Sequence, residues 1–396
     1  MCTSYNYKEN LAYTISSSAD DSISTFTMNE YTNEENQVPD YGDIQLQEVG
    51  RDWLDNLLDE AIVRRTSDIH LDPGRSGARM RLRIDRMLYN LQEYDMNLHS
   101  QIVSKIKVLA NMDIANTHFP QDGQFEHMYN NRVHYLRVSS YPTIYGEAIV
   151  MRVLNRVDSY VDLSSLGLDE KQLQDVMSLI NNPFGMVLTT GPTGSGKSTF
   201  LNSILNYLND GKRNIITVED PVEYRIEGVR QTQVNRFHKL DFAEALRAIL
   251  RQDPDVVMIG EIRDAHTAQT AVRAALTGRL FFSTFHTLDV FAILARFIEM
   301  EIPRSVVAHV IGGVISTRLV RRIHEDCRVP YALSQNEAFL LQGLFPEGTT
   351  FYQGEGCEGC NGTGFEGTTG IFEVVAFDDE FRAAILRSES EEELRK

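Results

Sequence analysis

The residues Gly191-Pro192-Thr193-Gly194-Ser195-Gly196-Lys197-Ser198 fit the G-x-x-x-x-G-K-[ST] phosphate-binding loop without a mismatch. The chemistry of that pattern is polyphosphate capture. Its glycines let consecutive backbone N–H groups turn inward around the phosphates, and the helix that follows adds its positive dipole end. Lys197 is placed to reach the β- and γ-phosphates, the Ser198 hydroxyl to sit on magnesium, and Thr199 closes the binding stretch. A glycine-rich turn without a ligand is the alternative, and the flanks decide against it. Gly185-Met186-Val187-Leu188-Thr189-Thr190 ahead is a short apolar run, and Phe200, Leu201, Ile204, Leu205 and Leu208 behind recur at helical spacing. A strand, a loop and a helix in that order make this a site for ATP or GTP.

Other chemically competent residues stand at the ends of predicted strands. Ile215-Ile216-Thr217-Val218 leads into Glu219-Asp220-Pro221-Val222-Glu223, and Val256-Val257-Met258-Ile259 leads into Gly260-Glu261, which reads as a Walker B strand. Carboxylates at the carboxyl ends of strands lie where α/β ligand sites are built, and there they can hold the magnesium shell or orient the attacking water. Thr277 to Thr287 gives another strand ending in polar residues, and its position favours His286 as a sensor of the γ-phosphate over a structural histidine.

The elements that must position these groups are set out along 396 residues, 42% hydrophobic and 24% charged, enough for two or three domains with cores of their own. No apolar run approaches the ~20 residues of a membrane span, and no charged-then-apolar leader opens the chain, so a cytoplasmic protein is expected. A net charge of −18 argues against broad binding to nucleic acid or anionic lipid, which needs a basic face. Residues 1–45, rich in Ser, Thr, Asn, Asp and Glu with Lys8 as the one basic residue, read as a disordered acidic tail or linker.

A small α+β domain is expected over 46–155. Trp53, Leu54, Leu57, Leu58, Ala61 and Ile62 mark an amphipathic helix, Ile102, Ile106, Leu109 and Met112 another, and 79–85 and 134–139 alternate as strands with one polar face. Residues 156–396 then alternate strand and helix, an α/β pattern. Within them His324-Glu325-Asp326-Cys327 precedes Cys357-Glu358-Gly359-Cys360 by thirty positions. Two x-x-spaced pairs on separate turns suit a tetrahedral Cys₃His zinc site at 320–375, with a metal-free remnant as the alternative.

These motifs together resemble the secretion-superfamily traffic ATPases, the hexameric motors of type II secretion and type IV pilus assembly, over about residues 48 to 378. The carriers in the first domain are Ser67-Asp68-Ile69-His70, Arg83-Ile84-Asp85, Pro120-Gln121-Asp122-Gly123, Arg137-Val138-Ser139 and Gly146-Glu147. In the second they are the phosphate loop, 218–224 as an Asp box, 250–255 through 260–264 as Walker B, and Ser283-Thr284-Phe285-His286-Thr287 as a His box. The resemblance implies a PAS-like domain before a RecA-like ATPase domain with a zinc-ribbon-like insertion, and six copies in a ring. It implies Glu261 as catalytic glutamate, Glu219 as an assisting carboxylate, and Arg83 and Arg137 as charges brought onto the nucleotide. It also implies an inner-membrane platform protein and cytoplasmic assembly proteins as partners, with membrane association through them. Assembly-type members carry a four-cysteine site here, where His324 stands in for the first cysteine, and retraction subunits generally lack the insertion, which favours assembly over retraction.

Some positions depart from that pattern. Arg86 stands where the family has glycine, Thr117 and His118 replace paired arginines, Gln124 replaces another arginine, and Arg279 replaces the first histidine of the His box. Lys197, Ser198, Glu219 and Glu261 remain, so hydrolysis is expected, with a nucleotide-binding regulator, a retraction motor and a nucleic-acid motor as the other readings. Beside the family both ends look shortened, since no docking domain precedes Trp53 and the chain stops at Lys396.

Overall fold

A computed structural model describes residues 13–15, 24–27, 51–154, 161–234, 240–287, 289–346 and 348–387. Contacts divide the chain into two compact units, residues 1–156 with 321–368 and residues 157–320 with 369–396. Within the expected tail, β1 (Tyr13–Ile15) and β2 (Ser24–Thr27) pair antiparallel. The rest of that expectation falls outside the described residues.

Period-two alternation builds the first unit. After α1 (Arg51–Val63) come β3 (Asp68–Pro73), β4 (Ala78–Ile84), β5 (Met87–Tyr94), α2 (Met96–Leu109), β6 (Gln121–Tyr129), β7 (Arg132–Thr143) and β8 (Gly146–Leu154). The strands form an antiparallel sheet in the order β5-β4-β3-β8-β7-β6. In β4, Ala78, Met80 and Leu82 are buried while Arg79, Arg81 and Arg83 alternate with them. The buried face packs against Leu54, Leu57, Leu58 and Ala61 of α1 and Ile102, Val103 and Ile106 of α2, so both helices read from spacing are present. Asp95 caps α2 by accepting from the N–H groups of Asn97 and Leu98.

The second unit contains α3 (Glu170–Ile180), β9 (Gly185–Thr190), α4 (Lys197–Leu208), β10 (Ile215–Glu219), β11 (Arg230–Gln233), α5 (Phe242–Ile249), β12 (Val256–Ile259), α6 (Ala265–Ala275), β13 (Leu280–Phe285), α7 (Val290–Glu299), α8 (Arg304–Val310) and β14 (Ile311–Ile323). There follow β15 (Arg328–Tyr331), α9 (Gln335–Leu340), β16 (Phe351–Gly354), β17 (Phe365–Ala376) and α10 (Asp379–Arg387). A seven-stranded sheet runs β11-β10-β12-β13-β9-β14-β17, with the pairs from β11 through to β14 parallel. Strands β9, β10, β12 and β13 are buried at every residue, as strands covered on both faces must be. One face packs Leu188, Val218, Ile259 and Phe281 against α5 to α8, and the other packs Val187, Met258 and Phe282 against α3 and α4.

Residues 321–368 gather with the first unit, whereas their place in the sequence suggested the nucleotide domain. The contacts responsible are remote in sequence. The Gly367 N–H donates to the Asp85 carboxylate at 3.0 Å across 282 positions, and Arg65 pairs with Glu366 at 3.3 Å. Local periodicity carries no trace of such pairings.

Candidate nucleotide site and metal centre

The phosphate loop leaves β9 at Thr190 and enters α4 at Lys197. Gly191 has φ 145° and Gly196 φ 91°. A Cβ on Gly191 would lie 2.4 Å from the Thr317 carbonyl oxygen, so no larger residue fits there. Thr317 also pins the loop from β14, its hydroxyl donating to the Ser195 carbonyl at 2.9 Å. Gly196 caps α4 without a side-chain acceptor, which leaves the first N–H groups of the helix for an anion. The buried Ser195 Oγ, likewise, has no hydrogen-bond partner among the described residues.

Lys197 is 7% exposed and folds back on the loop, its Nζ donating to the carbonyls of Gly191 at 2.7 Å and Pro192 at 2.9 Å. Burial pulls its ammonium below the usual lysine range, with the Glu261 carboxylate opposing and the Arg318 charge adding to the effect. A buried lysine held only by neutral carbonyls is a cation prepared for phosphate oxygens. Ser198, in the same turn, is exposed and offers a hydroxyl of the type magnesium takes.

Because β10, β12, β13 and β9 are adjacent and parallel, their carboxyl ends share one edge, and the groups read from the sequence all stand on it. Glu219 ends β10, where burial pushes its carboxyl up from the usual value. Its Oε1 accepts from the Thr217 hydroxyl at 2.5 Å and the Gln231 amide at 3.0 Å. Glu261 follows β12, 8% exposed, with one oxygen held by Arg263 and the other 3.2 Å from His286 Nε2. Thr190 Oγ1 donates to the Thr287 carbonyl at 2.6 Å and so ties the loop strand to the His286 segment.

In the first unit, Arg83 and Arg137 fall on one cross-strand row. Its register is Arg83 opposite Asp68, Asp68 opposite Arg152, Arg152 opposite Arg137, and Arg137 opposite Gln124. Asp68 accepts from Arg152 Nε at 2.8 Å, and Arg83 Nε lies 3.9 Å from it. The row therefore sets one carboxylate among three arginines, with Arg137 exposed.

His324, Cys327, Cys357 and Cys360 converge with their ligand atoms all within 4.8 Å of one another. The Sγ of Cys360 is 3.9 Å from that of Cys327 and 3.8 Å from that of Cys357, and Cys357 Sγ is 3.4 Å from His324 Nδ1. Zinc bonds near 2.3 Å to sulfur and 2.0–2.1 Å to nitrogen give tetrahedral edges of about 3.8 and 3.5 Å, so the residues fit the ion. Burial raises the Cys360 thiol, but hydrogen bonds from the N–H groups of Cys357 and Gly364 and from the thiols of Cys357 and Cys327 more than reverse this and bring it to about 7, whereas burial pushes Cys327 up to about 11. The lowered Cys360 is the one already favouring the thiolate that zinc requires.

A family model described as type II/IV secretion system protein matches residues 45–396. The chain belongs to that family. The type II secretion system protein E of Dickeya dadantii is 45% identical over 85% of this chain and 68% of the relative. The type II secretion system ATPase E of Vibrio cholerae is 41% identical over 87% of this chain and 68% of its own length. The type IV pilus assembly ATPase PilB of Myxococcus xanthus is 40% identical over 86% of this chain and 61% of that relative. Among solved structures, the pilus retraction motor PilT with bound ADP superposes with a TM-score of 0.56 at 27% identity, covering 85% of this chain and 86% of the other. The Legionella pneumophila ATPase DotB shares the fold, with a TM-score of 0.64 at 21% identity over 88% of this chain and 86% of that one.

This secretion ATPase holds its phosphate loop, acidic strand ends and His286 where the motifs implied. Sequence reasoning gave no role to Arg263, although it lies in the 260–264 stretch read as Walker B, and missed Arg318 and Arg152. Arg318 lies outside any motif. Arg152, however, alternates with Met151 and Val153 in a strand that period-two reading could have found.

Proposed function

We propose that the chain is the ATP-hydrolysing subunit of a homo-hexameric motor that assembles a type IV pilus or a type II secretion pseudopilus at the cytoplasmic face of the inner membrane. The convergence of Lys197, Glu219, Glu261 and His286 on one strand edge supports turnover and carries the reading. Relatives named for secretion and pilus assembly are 40–45% identical, against 27% for the retraction motor, which supports assembly. The Cys₃His cluster, read as zinc-binding, points the same way. Among the described residues no helix is long and apolar enough to cross a membrane, in keeping with attachment through a platform protein.

In this reading 191–199 cradles the phosphates, Lys197 neutralises them, and Ser198 holds magnesium, which supplies charge to the phosphate oxygens. Glu261 accepts the proton of the attacking water, oriented by its contacts with His286 and Arg263. Glu219 assists from the neighbouring strand. Within the first unit residues 46–155 are the PAS-like domain, and the second unit is the RecA-like domain. Arg83 and Arg137 supply charge to the nucleotide, and the ring's domain movements drive the platform.

Steady-state hydrolysis by the full chain tests this. Wild type is expected to turn over, Glu261→Gln to bind ATP with roughly 10²–10⁴-fold lower kcat, and Lys197→Ala to lose tight binding. Nucleotide binding with hydrolysis indifferent to Glu261→Gln would instead identify a regulator.

A further inference from the structure

A cavity of about 420 Å³ lies between α5 and α6, lined by Arg247, His266, Gln269, Arg273, Thr277 and Arg279 among others. Its Arg279 end lies at the opposite edge of the sheet from the phosphate loop. Arg279 directly precedes β13, and its Nε donates at 3.2 Å to the carbonyl of Pro254, which stands just ahead of β12. His266, Gln269, Arg273 and Thr277 recur every three or four residues and so form one face running along α6 and past its end, about 16 Å at 1.5 Å per residue.

The lining exposes mostly apolar surface, and its basic residues are three arginines and His266 on a chain of net charge −18. Arg247 donates to Glu244 at 2.6 Å and, from its other nitrogen, to His266 Nε2 at 2.8 Å. Arg279 is bound only to neutral oxygens, those of Pro254 and Thr277. Among the described residues Arg247 alone of the three arginines has a carboxylate partner, and Arg273 is exposed.

We propose that this groove docks an acidic peptide segment of a partner protein. Guanidinium forks recognise carboxylates and phosphates alike, so the spacing has to decide. Arg247 and His266 stand at one end, Arg273 and Arg279 at the other, separated by two turns of α6, or about 10 Å. A single phosphate group cannot reach both ends, whereas carboxylates three residues apart on a polyproline II chain, which repeats every three residues at about 3.1 Å each, lie on one face and span about that distance. Gln269, between the two ends, offers an amide suited to peptide backbone. No aromatic ring other than His266 lines the groove to stack a base, which disfavours a nucleotide or single-stranded nucleic acid.

The test is fluorescence anisotropy at low salt with the full chain and a labelled peptide bearing glutamate at every third position. The comparisons are a peptide of the same composition with its glutamates adjacent, and inorganic pyrophosphate as competitor. Saturable binding of the spaced peptide is expected, weakened about tenfold or more by Arg273→Glu with ATP binding unchanged, and also weakened by Arg279→Gln. Arg273 is exposed, so its substitution tests the groove without disturbing the core. Absence of saturable binding, or binding indifferent to Arg273→Glu, overturns the proposal. Equal binding of the clustered peptide, or displacement by pyrophosphate at matching concentration, overturns it in favour of a small-anion site.

Discussion

At Glu219 both recorded hydrogen bonds, from Thr217 and Gln231, reach the same oxygen, so a glutamine could keep them while removing the charge. Burial raises this carboxyl above its ordinary value of 4.5, which means the folded protein holds the proton more tightly than the unfolded chain. Ionised Glu219 therefore costs stability once pH rises through the raised value, and the cost vanishes below the ordinary one. Without nucleotide, Glu219→Gln is expected to melt above wild type at pH 7–8, the gap narrowing as pH is lowered toward 4.5. A gap that does not change with pH would mean the glutamate is neutral or compensated throughout. The same burial that makes Glu219 expensive marks it as a group kept for chemistry.

The hairpin between β4 and β5 turns on Asp85 and Arg86, whose φ values of 45° and 72° are both positive. Two-residue hairpin turns of this kind favour glycine or asparagine, because a Cβ crowds the backbone there. The glycine that the family resemblance places at this position is explained by that geometry, and Arg86 occupies it at a cost. Arg86→Gly is expected to stabilise the first unit by about 0.5–1 kcal/mol in denaturant melts, the relief of strain being partly offset by the freer unfolded chain. The bond from Arg83 Nη1 to the Arg86 carbonyl, 3.0 Å, involves backbone and can survive the change. If stability falls instead, the Arg86 side chain contributes more than its backbone costs.

For the molecule as a whole, the metal cluster bears on how the chain divides. His324, Cys327, Cys357 and Cys360 bracket β15 and β16, and the segment they close belongs by contact to the first unit. Zinc bound there would hold that segment closed, since structural zinc contributes folding energy outright. About one zinc per chain is expected, and its removal by chelation or Cys360→Ser should lower Tm. Hydrogen exchange should then quicken in β15 and β16 while the buried strand β9 stays protected and ATP still binds. Uniform loosening of both units, or no metal in the purified chain, would count against a structural zinc.

What the sequence determined alone was local. The phosphate loop, the strands ending at Glu219 and Glu261, and the alternation of β4 are each written in a few consecutive residues, because glycine conformation, helical spacing and period-two burial are short-range constraints. The His/Cys cluster was legible for the same reason, as two pairs of fixed spacing. Only the tertiary structure decided which strands are neighbours, and with that the shared edge of Lys197, Glu219, Glu261 and His286, the row joining Arg152 to Arg83 and Arg137, and the arginine-lined groove between α5 and α6. It also decided that 321–368 packs with the first unit through Arg65 and Asp85. Those relations depend on strand order and on contacts hundreds of residues apart, and no local pattern of residue types encodes either one.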